Sequence, residues 1–271
     1  MGKNWVKMNK TIIICDPPYG MNLDTDYSSL KSKLQFVEEK HLKSMQGNKY
    51  DKVIGDNADY DPDHIFKMFP NADEVLLFGA DYYAERLPNK NDGSWLVWDK
   101  RNENENLDKM FGSQFELIWS KKRHKRELIR IQWAGVFGTE KEFDHKRHHP
   151  TQKPIALMTW LIKKFTNEGD IVIDLFGGSG STLIACEQTN RVCYLCEIDE
   201  RYSDVIIKRW MKFTGNQAYK IRDADGKQVN EPVLFADMSF MPSTKLVGNG
   251  EEKLSESPSI VPKNVGQLEQ Q

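Results

Sequence analysis

Short apolar runs, each closed by a glycine, a proline or an acidic residue, alternate along this chain with segments whose apolar residues recur every three or four positions. Thr11 to Cys15 (TIIIC) is β-branched and stops at Asp-Pro-Pro, the pattern of a buried strand that ends in a loop. Val75 to Gly79, Trp95 to Trp98, Phe115 to Trp119, Ile171 to Leu175 and Val192 to Cys196 read as further strands. Helices are expected over Ile65–Phe69, Tyr82–Leu87, Pro154–Phe165, Ser181–Thr189 and Glu200–Phe213. In the third of these, Pro154 suits the first helical position, and Ile155, Met158, Leu161, Ile162 and Phe165 form one stripe. Strands alternating with helices predict an α/β fold with a mostly parallel sheet and helices on both faces. Ligands in such sheets bind beyond the carboxyl ends of the strands.

Composition sharpens this picture in three places. No apolar run approaches the roughly 20 residues of a membrane helix, so a cytoplasmic protein with no membrane partner is expected. Cys15, Cys186, Cys193 and Cys196 lie in or beside apolar runs, which suits reduced thiols in a core. Cys193 and Cys196 form a C-x-x-C, but no second such pair exists and Tyr194-Leu195 reads as buried strand, so no metal is implied. Although the net charge is −2, the stretch from Ser120 to Lys153 carries an excess of about six positive charges. Within it, Lys121, Lys122, Arg123, Lys125, Arg126, Arg130, Lys146 and Arg147 are the candidate contacts to a polyanion. The polar run from Arg123 to His149 looks like an insertion rather than part of the sheet, and the residues from about Gly248 onward have the composition of a disordered tail.

Three motifs carry chemistry. Asp16-Pro17-Pro18-Tyr19 follows a strand directly. An exocyclic amine on a base is a poor nucleophile because its lone pair is delocalised into the ring. Acceptors for both its N–H groups pull the nitrogen toward tetrahedral geometry, and the Asp16 carboxylate and the Pro17 carbonyl can supply them. The Pro-Pro step stiffens the backbone that presents them, and Tyr19 offers a ring for an extruded base. The second motif, Asp174-Leu175-Phe176-Gly177-Gly178-Ser179-Gly180-Ser181-Thr182, joins a strand to a helix, where glycines admit close backbone approach. Aligning Gly178 and Gly180 with the dinucleotide fingerprint puts Leu183 at its third glycine, which disfavours an oxidoreductase. Glu197, at the end of the next strand, stands where a carboxylate would grip ribose hydroxyls. The third motif is His149-Pro150-Thr151-Gln152-Lys153-Pro154, at a helix entry where Lys153 can neutralise a carboxylate.

Together, in this order, the three motifs resemble the β class of amino DNA methyltransferases, over roughly Thr11 to Phe213. Phe115-Glu116, opening a strand that ends near a lysine, is similar to a further feature of that family. The resemblance implies a circularly permuted, Rossmann-like methyltransferase sheet, S-adenosyl-L-methionine as cofactor, and double-stranded DNA as partner. It implies that Asp16, Pro17, Pro18 and Tyr19 hold the target base, and that Asp16, Asp174, Phe176, Gly177, Gly178, Ser179, Gly180 and Thr182 cradle the cofactor. Glu197 would take its ribose, with Thr151 and Lys153 near the methionine end. In this scheme residues 1–122 form the half with the catalytic loop, 123–148 a short basic target-recognition insert, 149–247 the cofactor-binding half and 248–271 the tail. The basic stretch falls where the family contacts DNA. The implied reaction is methylation of adenine N6, with cytosine N4 as the alternative and a non-catalytic relative less favoured. A homodimer and a partner restriction nuclease are compatible with the family, though no residue indicates either.

Overall fold

The computed structural model describes residues 9–26, 49–88, 91–101, 113–133, 142–144, 146–223 and 225–235. It divides into two compact units, Met1–Thr214 and Gly215–Gln271.

The first unit is built on a seven-stranded sheet. Its strands are β1 (Thr11–Cys15), β2 (Glu74–Phe78), β3 (Ser94–Asp99), β4 (Phe115–Ser120), β5 (Glu127–Arg130), β6 (Ile171–Asp174) and β7 (Val192–Leu195). They lie in the order β5-β3-β4-β2-β1-β6-β7. β1 pairs in parallel with both β2 and β6, β6 with β7, and β3 with β5, while β4 runs antiparallel between β2 and β3. Among the described residues its helices are α1 (Asp63–Met68), α2 (Ile155–Phe165), α3 (Ser181–Gln188) and α4 (Glu200–Thr214). Two strands far apart in the chain, β1 and β6, are thus central neighbours, and their loops open at the same end of the sheet.

The two-residue period of β1 explains why both faces are covered. Ile12 and Ile14 pack in one cluster with Leu157, Met158 and Leu161 of α2 and Ile184 of α3. Ile13 and Cys15 point the other way, into a cluster with Ile65 of α1, Tyr83, Leu87 and Trp119. Every residue of β1 from Ile12 to Cys15 is fully buried, as its unbroken apolar run requires.

Several expectations are corrected. The stretch read as an insertion contributes β5, which pairs with β3 as an edge strand, and Trp133 beyond it enters the core. With a charged residue at each end and only Ile129 buried, that strand has too weak an alternation to be read from sequence. The expected helix over Tyr82–Leu87 is a 3-10 turn, Ala84–Arg86. Pro154 is the extended residue that caps α2 (ψ 138°) and not its first helical residue. β7 is the opposite edge strand, so Tyr194 is 52% exposed and Cys196 lies at the surface, although Cys15 and Cys186 are buried.

The second unit contains a hairpin of β8 (Tyr219–Arg222) and β9 (Gln228–Pro232), largely exposed. The division between the two units falls inside the segment 149–247 expected as the cofactor-binding half. The tail expected at 248–271 and residues 134–141 of the insert lie outside the described residues. Among the described residues no helix is long and apolar enough to cross a membrane.

Candidate active site

β1 delivers Asp16 to the carboxyl end of the sheet, where Asp174 arrives from β6, Gly79 from β2 and Glu197 from beyond β7. Their loops line one cavity of about 1270 Å³. That exceeds the roughly 300–1,000 Å³ common for a single small ligand, which leaves room for two reactants side by side.

Asp16 is held from both sides. Its Oδ2 lies 2.6 Å from Lys153 Nζ, and its Oδ1 accepts a hydrogen bond from the Tyr19 hydroxyl at 2.6 Å. Burial pushes the Asp16 carboxyl above its ordinary range, while the Lys153 ammonium opposes that push. Burial works against the Lys153 charge too, but Asp16 and Glu116 outweigh it and hold the ammonium protonated. Glu116 Oε2 is 3.4 Å from Lys153 Nζ, and its Oε1 is 2.5 Å from Lys100 Nζ. Four largely shielded charges of alternating sign, Asp16, Lys153, Glu116 and Lys100, therefore line the cavity side by side.

The ring of Tyr19 is fixed by its hydroxyl and by Gly79, where any side chain would meet it: a Cβ there would lie 2.3 Å from the ring, at a backbone φ of +58°. Tyr82 stacks on Tyr19 with ring centroids 5.2 Å apart and planes 10° apart.

The glycine-rich loop forms the other half of the cavity. Asp174 accepts the Phe176 N–H at 3.0 Å and the Thr182 hydroxyl at 2.6 Å, which ties the end of β6 to the start of α3. Burial raises its carboxyl to about 7, despite those two donors. Gly180 caps α3 in the left-handed conformation (φ +81°). At Gly177 a Cβ would lie 2.4 Å from Leu195 and 3.1 Å from the Cys196 carbonyl, so this residue has to be glycine for the loop to pack on β7. At Gly178 (φ +52°) the nearest atoms would be 3.9 Å away, in His149, which leaves an open cradle there. Glu197 accepts the N–H groups of Gly178 (2.6 Å) and Asp199 (2.9 Å), so its carboxylate is oriented at the cradle rim. Ser179 is buried, and its carbonyl accepts from Arg209 at 2.6 Å.

The His149–Pro154 segment bridges the two halves. The Lys153 carbonyl accepts from Ser181 Oγ at 2.7 Å, and His148 N–H donates to Gln152 at 2.8 Å. His149, edge-on to Tyr202 at 4.3 Å, has its pKa lowered to about 3 by burial and by Lys153 and Arg147, so the ring is neutral. Its Nδ1 then accepts the Thr151 N–H, 3.2 Å away.

The structure brings Asp16, Pro17, Pro18, Tyr19, Thr151, Lys153, Asp174, Phe176, Gly177, Gly178, Ser179, Thr182 and Glu197 to this cavity, and Gly180 turns the same loop. It separates the basic residues. Because β4 is antiparallel, its carboxyl end lies at the amino end of β2, where the Lys121 and Lys122 N–H groups meet Val75 and Glu74. Lys121, Lys122, Arg123, Lys125 and Arg126 therefore lie about a strand length, on the order of 17–20 Å, from the cavity end. Arg123 is paired there with Asp92, and Lys121 donates to the Ala72 carbonyl at 3.0 Å. Arg130, at the other end of β5, is exposed on the cavity side, and Lys146 is exposed next to Arg147. Arg147 lines the cavity, but its guanidinium donates to the carbonyls of His149 and Pro150. Sequence reasoning misses Lys100 and Tyr82 and gives Glu116 no role. A lone charge at the second position of an apolar strand is the signal at Glu116.

A family model described as DNA methylase, of the N6/N4 type, matches residues 11–209. The type II methyltransferase M.HpaI of Haemophilus parainfluenzae is 26% identical over 236 residues, spanning 76% of this chain and 70% of that protein. The DNA adenine methyltransferase YhdJ of Escherichia coli is 38% identical over 66 residues, 24% of this chain and 22% of YhdJ. Among solved structures, the M1.HpyAVI–SAM complex is 22% identical with a TM-score of 0.40, over 75% of this chain and 89% of that one. With three quarters of its length matched by that model, the chain belongs to the N6/N4 family of DNA methylases.

Proposed function

We propose that this protein transfers a methyl group from S-adenosyl-L-methionine to the N6 amino group of adenine in duplex DNA, with the target base flipped into the cavity. The observation that carries this reading is the Asp16 carboxylate, fixed by Lys153 and Tyr19 in a cavity shared with the glycine-rich loop. The residues present fit the cofactor. The open cradle at Gly178 admits a ligand against the backbone, and the oriented Glu197 carboxylate suits a pair of ribose hydroxyls. When bound, the cofactor supplies an electrophilic methyl on a positively charged sulfur.

Asp16 and the Pro17 carbonyl then accept the two N–H groups of the target amine, which localises its lone pair for in-line attack. Each carboxylate oxygen has a second lone pair, so Asp16 keeps Lys153 and Tyr19 while accepting the amine. Lys153 holds Asp16 in place, and the neutral His149 keeps Thr151 facing the cavity. The Tyr19 ring is the platform for the extruded base, which requires Tyr82 to leave its stacked position or to close over the base's edge. Adenine is favoured over cytosine because Asp-Pro-Pro-Tyr is the usual form in adenine enzymes of the family, with Ser-Pro-Pro-Tyr usual in cytosine enzymes. The likeness to YhdJ, an adenine enzyme by name, points the same way.

The test pairs chemistry with binding. Asp16→Asn is expected to abolish tritium transfer from labelled cofactor to DNA while calorimetry still detects cofactor binding, and retained transfer would remove Asp16 from catalysis. Mass spectrometry of nucleosides from DNA modified by the parent protein is expected to find N6-methyladenine. N4-methylcytosine in its place would overturn the choice of base and leave the amino methyltransferase standing.

A further inference from the structure

Lys153 stands between two carboxylates, 2.6 Å from Asp16 and 3.4 Å from Glu116, and a second lysine, Lys100, holds the far oxygen of Glu116 at 2.5 Å. Both carboxylates and both ammoniums are largely shielded, with side-chain exposures of 19% for Asp16, 9% for Lys153, 20% for Glu116 and 19% for Lys100. Charges in such a setting act on one another far more strongly than at a surface. Taken together the four are electrically neutral, so removing one leaves a net charge beside the base-side acceptor.

We propose that Glu116 and Lys100 are positioning residues for methyl transfer: they divide Lys153 between two carboxylates and so set how much of Asp16's acceptor strength is left for the target amine. The proposal rests on the reading of Asp16 as that acceptor. A Lys153 bound to Asp16 alone would hold more of its charge, leaving a poorer partner for the amine. Glu116 draws the ammonium back, and Lys100 limits how far it does so. Burial disfavours the Glu116 charge, but Lys153 first and Lys100 after it outweigh burial and hold the carboxyl below its usual range, so Lys153 still favours the charge when Lys100 is removed.

The two residues should therefore push the Asp16 titration in opposite directions. The charged and titratable groups around Asp16 are Lys153 from the helix entry, Glu116 on β4, Tyr19 in its own loop, Asp174 on β6, Tyr83 after β2 and Cys15 beside it. Burial raises the Asp16 pKa most, Lys153 lowers it, and the Glu116 charge raises it. Glu116→Gln removes a negative charge, so Asp16 should deprotonate at lower pH. Lys100→Met leaves Glu116 with Lys153 alone, so Asp16 should deprotonate at higher pH.

The experiment measures kcat for methylation of plasmid DNA at saturating S-adenosyl-L-methionine from pH 5 to pH 9, in the full-length parent and both variants. Glu116→Gln is expected to move the acid limb to lower pH and to lower the plateau by about tenfold, with the KM for the cofactor little changed. Lys100→Met is expected to move the acid limb to higher pH. A merely structural role would depress both variants alike, so acid limbs that stay put or move in the same direction would overturn the proposal. Should Glu116→Gln fail to fold, the upward movement in Lys100→Met decides alone. Asp16→Asn runs in parallel: transfer by that variant would overturn the underlying reading of Asp16, whereas an inactive Asp16→Asn with unmoved limbs would overturn only the division of Lys153.

Discussion

At the scale of single residues, Asp174 carries a cost that only burial explains. Its two hydrogen-bond donors, Phe176 N–H and the Thr182 hydroxyl, would normally favour the ionised form, yet burial raises it to about 7. A carboxyl raised in this way binds a proton more tightly folded than unfolded. The folded state is therefore progressively disfavoured as pH rises from the ordinary value of 3.8 through about 7, and the full cost applies above that. Asp174→Asn should keep the geometry, because its amide oxygen can accept from Phe176 and its NH₂ can donate to Thr182 Oγ1. In the cofactor-free protein this substitution is expected to raise the melting temperature by several degrees above pH 7, with the gain fading toward pH 5. A gain that does not depend on pH would mean the carboxyl titrates normally. The same scale separates what was legible from what was not. Asp16, Lys153, Asp174 and Glu197 stand beside prolines or glycines, or just past a strand, at spacings that reveal them. The Lys100–Glu116 pair exists because β3 and β4 place Trp98 opposite Glu116, so Lys100 falls diagonally beside it on the same face. No local pattern encodes that register.

At the scale of elements, the antiparallel β4 decides which basic residues can meet DNA at the cavity. Charge composition marks one continuous stretch, but β4 and β5 carry its first part to one end of the sheet and bring Arg130 back to the other. Strand direction follows from pairing between distant segments, which is why the run of lysines and arginines looks more unified than it is. Each phosphate contact contributes about −0.9 to the slope of log K against log salt. Replacing Lys122, Lys125 and Arg126 together with glutamine is expected to leave that slope for DNA binding unchanged. Replacing Arg130 and Lys146 should flatten it by up to about two such contacts. Titrations at several salt concentrations distinguish the groups, and a flattened slope in the first variant would mean that DNA reaches the far end of the sheet.

At the scale of the whole first unit, three segments that share the site are joined by one buried cation. Arg209 of α4 bonds Asp144 at 2.9 Å, Glu142 at 3.2 Å and the Ser179 carbonyl at 2.6 Å, and it is 2% exposed. Glu142 in turn accepts the Ile155 N–H at the start of α2. The guanidinium thus links the glycine-rich loop, the approach to His149 and two helices, and α2 and α3 pack in the main core. Sequence periodicity finds each of those helices, but an arginine in an amphipathic helix reads as surface until its carboxylate partners are known. Arg209→Met would remove the guanidinium from two buried carboxylates, leaving Glu142 without its cation and Asp144 with His148 alone, a loss of about 3–5 kcal/mol, or roughly 6–20 °C in melting temperature for a unit of this size. The pH dependence identifies the cause. Arg209 lowers the pKa of both acids: that of Asp144 is held at about 2, where burial opposes His148 and Arg209, and that of Glu142 is raised by burial in spite of the arginine. Without it both acids should take up protons more readily when folded, so the deficit is fully present above their raised pKa values and shrinks as pH falls through them. Melting curves of the two proteins at pH 8 and pH 5 are expected to show the gap narrowing at pH 5. An equal gap at both would mean that Arg209 stabilises this region through packing against Phe143 and its neighbours and not through its charge.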